Sequence, residues 1–256
     1  MTNQEIYRIA REQSAIDSSC AAEDFLSREN KVVISQKHEQ ARKYLELPFF
    51  CDLTSYGTNI VASVSEKIAG ETQRYIDRYA VEHCFETPNL YILNEALQKH
   101  EMAVCFMAEY FLPDADLLRV LPCAYETRVL ESADFGDLYV PQWSNALCEH
   151  RRELDVLGVG AFDGGRLIGL AGCSADCENM WQIGVDVLPE YRRKGIAAAL
   201  TSRLAAEILE RGKVPFYCCA WSNVKSAGNA VKSGFRPAWV QVTAKSTACI
   251  AELNQK

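Results

Sequence analysis

Residues 185–198, VDVLPEYRRKGIAA, are the part of this chain best suited to grip an anion. An apolar run passes through Pro189 into a helix start carrying Arg192, Arg193 and Lys194, with Gly195 behind them. The first N–H groups of a helix have no intrahelical partner, and with the helix dipole they favour negative charge at that end. Gly195 removes the side chain where a diphosphate would have to approach the backbone closely, and Ala197 and Ala198 keep the next turn slim. A solvated basic helix start has the same look, as most short charge runs do. On this stretch alone the two readings stand level.

Composition bounds the choices. At 256 residues, with 48% hydrophobic and 24% charged residues, the chain is ordinary for a globular protein and has room for two domains or one large one. Its 34 Asp and Glu against 27 Lys and Arg leave a net charge of -7. That argues against a nucleic-acid partner, because duplex affinity comes mainly from basic side chains neutralising phosphates. It does not argue against one phosphate-bearing ligand, since charges beyond a Debye length of roughly 8 Å are screened and three local cations decide the potential at one site. The start MTNQEIYRIA is polar, and no run approaches the ~20 apolar residues of a membrane span, so the chain reads as cytoplasmic with no membrane partner. The 11 cysteines include no C-x-x-C pair, and Cys173 and Cys177 have no second pair at zinc spacing. They read as reduced core residues, and no metal is expected. His38, His83, His100 and His150 show no metal spacing either.

The elements that must position the cationic stretch are easiest to read from Ala124 onward. A strand at residues 125–130 precedes a helix over 134–152. Asp163-Gly164-Gly165 between two strand-like runs signals a hairpin, and a strand over 180–187 follows. A helix over 193–210 buries Ile196, Leu200, Leu204 and Ile208 at four-residue spacing and stops at Gly212. A buried strand over 216–221, a helix capped by Ser222 and ending at Gly234, and an alternating strand WVQVTA complete the order β, α, β, β, β, α, β, α, β. The earlier part reads as mixed α/β. Helix-rich polar segments cover 3–24 and 35–47, the second stopped by Pro48. A strand covers 59–68, and helices run over 71–79 and from Pro88, the latter with Ile92, Ala96 and Leu97 on one face. A buried strand covers 103–112. The Pro-bracketed segment 113–122 is the expected boundary, giving an N-terminal α/β extension, residues 1–120, and a second domain, residues 121–256.

A second motif breaks the tie. Asn223 and Ser226 sit at the start of the last of these helices, directly after a strand, and Lys232, Gly234 and Phe235 lie at its end. Arg192-Arg193-Lys194-Gly195-Ile196-Ala197, this later motif and the strand order together resemble the GNAT superfamily of acyl-CoA N-acyltransferases over about residues 124–243. The resemblance implies an α/β fold with a mixed central sheet flanked by helices, and acetyl-CoA as co-substrate. It implies that main-chain groups of Val185 and Val187 pair with the pantetheine arm and that N–H groups from Arg193 through Lys194, Gly195, Ile196 and Ala197 to Ala198, beside Arg192, hold the diphosphate. Asn223 would hydrogen-bond the pantetheine and Ser226 would lie near the diphosphate. The implied reaction moves an acyl group, most simply acetyl, to an amine, with a small-molecule acceptor expected. An amine near its usual pKa is protonated at neutral pH, so a base must first take a proton, and the developing oxyanion needs an N–H donor, here near Val185.

The chain departs from the family in two places. Many members carry a Tyr seven residues after the position of Asn223, poised to protonate the thiolate; here it is Ala230. Some carry a Glu where this chain has Trp181. Glu178, at the start of that strand, is the candidate base, and an exposed turn carboxylate is the other reading of it. The expected function is therefore an acetyl-CoA-dependent N-acetyltransferase; the alternative is a non-catalytic acyl-CoA-binding regulatory protein that keeps the groove and has lost acid and base.

Overall fold

A computed structural model describes residues 1–255. In chain order the elements are α1 (Asn3–Ser18), β1 (Lys31–Ile34), β2 (Cys51–Ser55), β3 (Val61–Val64), α2 (Ala69–Arg78), α3 (Thr87–Gln98), β4 (Met102–Pro113), β5 (Glu126–Glu131), β6 (Asp155–Asp163), β7 (Arg166–Ser174), β8 (Met180–Val187), α4 (Ile196–Glu210), β9 (Val214–Ala220), α5 (Val224–Lys232), β10 (Phe235–Ser246) and α6 (Thr247–Leu253). The fold is the mixed-sheet α/β arrangement flanked by helices that the resemblance implied. Among the described residues no helix is long and apolar enough to cross a membrane. Two compact units form, one from Met1–Ala10 with Phe111–Pro237, the other from Arg11–Tyr110 with the chain from Ala238 onward. α1, β4 and β10 each begin in one unit and end in the other.

In the unit built on Arg11–Tyr110 the strand order is β1-β3-β2-β10-β4, with β1 and β3 parallel and β2 antiparallel to β3 and to β10. α2 and α3 bury Ile76, Leu90, Leu93 and Leu97 in a core with Leu53, Ala62 and Val64. The buried stripe of α3 is thus Leu90, Leu93 and Leu97, while Ile92 is 41% exposed, because the helix turns its leucines rather than its isoleucine to the sheet. The helix expected over 35–47 does not form. The Arg42 N–H donates to Asp17 Oδ1 at 2.9 Å and its Nε to Oδ2 at 2.5 Å, so this backbone group is committed outside any helical ladder. The Arg42 guanidinium also stands 5.4 Å over the Trp239 ring.

Asp52 is fully buried in the same unit and accepts from Gln241 Nε2 (2.9 Å), Thr243 Oγ1 (2.6 Å) and Thr54 Oγ1 (3.1 Å). Burial nevertheless outweighs these donors and raises its pKa to about 6.

In the other unit the order is β9-β8-β7-β6-β5, antiparallel from β5 to β8 and parallel between β8 and β9. Gly164 (φ +55°) and Gly165 (φ +86°) make the two-residue hairpin turn between β6 and β7. α4 lies on this sheet with Ile196, Leu200, Leu204 and Ile208 no more than 2% exposed, in one core with Leu157, Val159, Ile183, Tyr217 and Phe235. It starts at Ile196, after Gly195, rather than at Arg193. The helix expected over 134–152 is instead a series of short 3₁₀ turns. The cause lies in the sheet: a Cβ on Gly172 would stand 2.2 Å from Ala146 O, and one on Gly184 1.7 Å from Asn145 O. Backbone packs directly on backbone there, closer than the side chains of a regular helix would allow. Asp186 fixes that contact, accepting from the N–H groups of Asn145 (2.8 Å) and Ala146 (3.0 Å) and from Asn145 Nδ2 (2.7 Å).

Two outcomes follow. Because the folded Asp52 carboxyl holds its proton up to about pH 6 while an unfolded one releases it near ~3.9, stability falls as pH rises through that window. Asp52→Asn should flatten this dependence and raise stability at pH 7 by roughly 1–3 kcal/mol, as read by urea unfolding at pH 4.5 and 7. Gly184→Ala should cost at least about 2 kcal/mol in the same measurement, since backbone must move to admit the methyl group.

Candidate functional site

β8 has two unequal edges. Toward β7 it is paired from Gln182 to Val187; toward β9 the ladder runs from Met180↔Val214 to Ile183↔Tyr217 and ends, although both strands continue. The Leu188 N–H donates to Ile168 O at 3.0 Å, which fixes the alternation. Main-chain groups of Asp186, Gly184 and Gln182 face β7, and those of Trp181, Ile183, Val185 and Val187 face β9. Beyond Ile183 the β9-facing groups of Val185 and Val187 therefore border an open cleft. These are the two residues that the resemblance implied.

The chain leaves β8 at Val187, makes a 3₁₀ turn over Pro189–Tyr191 and reaches α4 through Arg192, Arg193, Lys194 and Gly195, all exposed. Gly195 adopts φ +82°, and no atom lies within 4 Å of where its Cβ would stand. The first helical bond of α4 runs from Ala199 N–H to Gly195 O (3.1 Å), and no side chain caps the helix. The N–H groups of Ile196, Ala197 and Ala198 precede that bond and have no intrahelical partner, the kind of donor set that suits an anion. α5 differs: Asn223 caps it, accepting from Ser226 N–H at 3.2 Å, so the cap is Asn223 and not Ser222.

The three cations are not equivalent. Arg192 Nε donates to Val187 O at 3.0 Å, bridging the cradle and the end of the open edge. Lys194 Nζ lies 4.8 Å over the Tyr191 ring and 3.3 Å from Tyr125 Oη. Arg193 takes φ +62°. Tyr191 donates to Asp163 Oδ2 at 2.8 Å, and this bond holds its phenol above the usual pKa.

Val185, Val187 and the starts of α4 and α5 thus lie at the C-terminal end of the parallel pair β8 and β9, and Glu178 lies at the other end. It is exposed in the turn before β8, at the end where β8 and β9 are still paired. At about 3.3 Å per residue it stands on the order of 15 Å from Ile183. Trp181 is half-buried and packs against the core under α4, and Ala230 is fully buried in that core. Tyr217, which no sequence motif singled out, stands at the vertex of the cleft, 4% exposed, with Oη 2.9 Å from Ser226 Oγ. Burial raises its pKa although bonds from Ser226 and Asn229 favour the phenolate. Its signal in the sequence was only its place in a buried strand. Among the described residues no group of three or more His, Cys, Asp or Glu is placed to hold a metal ion.

A family model described as GNAT acetyltransferase matches residues 58–238, and the chain belongs to that family. No curated protein gives a significant match. Among solved structures, a GNAT-family protein from Novosphingobium aromaticivorans aligns at TM-score 0.46 and 20% identity over 56% of this chain and 66% of that one. A GCN5-related N-acetyltransferase-like protein from Streptococcus suis aligns at 0.45 and 20% over 62% and 68%. A Salmonella typhimurium protein solved with its cofactor acetyl-CoA aligns at 0.37 and 17% over 49% and 95%. The chain spans just under two thirds of the first of these.

Gly195→Asp should weaken CoA binding about tenfold or more by titration calorimetry, and more than Gly195→Asn, which adds the same bulk without the charge. Wild-type CoA affinity in both variants would remove the diphosphate from this position.

Proposed function

We propose that the chain transfers an acyl group, most simply acetyl, from acetyl-CoA to the amine of a small-molecule acceptor in the cytoplasm. The observation that carries this reading is the ladder that stops at Ile183↔Tyr217 beside the uncapped start of α4. An arm carrying two amides can add to the edge of Val185 and Val187 as a strand would, and a diphosphate at its end then meets the N–H groups of Ile196, Ala197 and Ala198. Arg192 can move from Val187 O to a phosphate, and Arg193 lies exposed beside it. Asn223 keeps its amide N–H free for the arm while its oxygen caps α5. Ser226 Oγ is bonded to Tyr217 Oη, nearer the vertex than the diphosphate end where the resemblance implied it.

Transfer needs the acceptor nitrogen unprotonated, an N–H aimed at the carbonyl oxygen and a leaving thiolate. The Val185 N–H faces the cleft and suits the second task. The distance of Glu178 from the vertex speaks against its acting as base, which leaves proton removal to water. The -7 net charge favours approach of a cationic amine.

The displaced Glu178 and the buried methyl of Ala230 favour one rival, a regulatory protein that binds acyl-CoA without turnover. The two separate in a single assay. Acetyl-CoA binding by calorimetry together with CoA release on a panel of small amines and polyamines is expected for the transferase; binding with no release above the hydrolysis background on every amine would favour the rival.

A further inference from the structure

Tyr217 packs in the core between the rings of Phe111 and Phe235, and its place along β9 is the feature that matters. Its Cα is level with Ile183 at the last paired residue of β9, so it marks the point where the cleft begins. Its side chain lies on the α4 side of the sheet, in one core with Ile183, Ile196, Ala230 and Phe235. From Val187 to Ile183 the open edge covers roughly 13 Å at about 3.3 Å per residue, close to the reach of an extended pantetheine arm. An arm anchored by its diphosphate at α4 and laid along Val187 and Val185 therefore ends beside Tyr217. The phenol is 4% exposed, yet its oxygen is bonded to Ser226 Oγ at 2.9 Å, and Ser226 is half-exposed at the start of α5. The Asn229 side chain, held by its own bond to Thr201 Oγ1 at 3.1 Å, also hydrogen-bonds the phenol and favours its ionised form. Ile183, Val185 and Ala230, on the same side, have no polar side-chain atom, and the indole N–H of Trp181 is far too weak an acid to protonate a thiolate. Cys219, the next residue of β9 on that side, has its thiol at 4.0 Å from Asn223 O.

We propose that the Tyr217 hydroxyl protonates the departing CoA sulfur, with Ser226 linking it to solvent. This rests on the acyl-transfer reading above. As the acceptor nitrogen bonds to the carbonyl carbon, the C–S bond breaks with its electron pair going to sulfur. The sulfur takes the phenolic proton, and the phenolate regains one from water through Ser226. The proton lost by the amine goes to water, so none is consumed overall. Ala230 is compatible with this role: the donor comes from the strand beneath α5 rather than from α5 itself.

The test compares wild type, Tyr217→Phe and Ser226→Ala. Acetyl-CoA affinity is read by calorimetry, and CoA release is followed at saturating acetyl-CoA with water alone and with the amine panel. Tyr217→Phe should keep acetyl-CoA affinity within about twofold and slow CoA release about a hundredfold, with Ser226→Ala between it and wild type. In a crystal structure of the wild-type CoA complex the sulfur should lie within about 3.5 Å of Tyr217 Oη. Release by Tyr217→Phe at the wild-type rate, a parallel loss of affinity and rate, or a sulfur far from Oη in the wild-type complex would each overturn the assignment of Tyr217 and leave the transferase intact. Failure of the wild type to bind acetyl-CoA would instead remove the acyl-transfer reading and this inference with it.

Discussion

The candidate site depends on one strand whose two edges are treated differently. β8 is bonded to β7 along most of its length but to β9 over only its first residues. The antiparallel register with β7 decides by alternation which residues present main-chain groups on the far side, so Val185 and Val187 are chosen by pairing geometry rather than by side chain. The chain then has to turn out of β8 and come back over the sheet as α4, which brings an uncapped helix start to the open end of the cleft. The open edge and its vertex follow from where that ladder stops, and the uncapped helix start stands beside them.

Much of this was legible in the residues because the signals are local. The four-residue spacing of Ile196, Leu200, Leu204 and Ile208 marks α4, and Asp163-Gly164-Gly165 marks the β6–β7 turn because two successive positive φ angles select for glycine there. The cationic run before Gly195 and the pair Asn223 and Ser226 are equally local, and both follow the C-terminal ends of the parallel strands β8 and β9. What escaped were features set by distant partners. Arg42 lies in a segment with helical composition, and its backbone N–H is drawn to Asp17, 25 residues earlier in the chain. The 3₁₀ turns between β5 and β6 depend on glycines in β7 and β8 that lie far along the chain. Glu178 looked close to the chemistry because it is close in sequence, yet a strand separates neighbours by its length.

Tyr217 and Ala230 bear on how a motif is read. Under the proposal made above, the need left by the missing side chain at Ala230 is met from a different element. Both residues belong to one core, and the phenol enters from β9 while the methyl group of α5 stays beneath it. Such an exchange is invisible to position-by-position matching and becomes visible only when the elements are laid against one another.

The Arg192 bond to Val187 O has a bearing on how this chain behaves when nothing occupies the cleft. A strand edge with unpaired amides is a template for a foreign strand, and sheet proteins commonly guard such edges with charge. A guanidinium held on the last carbonyl closes the mouth of that edge to another polypeptide, yet it is a single exposed side chain that an anion can draw off. On the acyl-CoA reading proposed above, the same arginine would both guard the edge and act as an exchangeable seal, giving way to a visitor that brings its own negative charge.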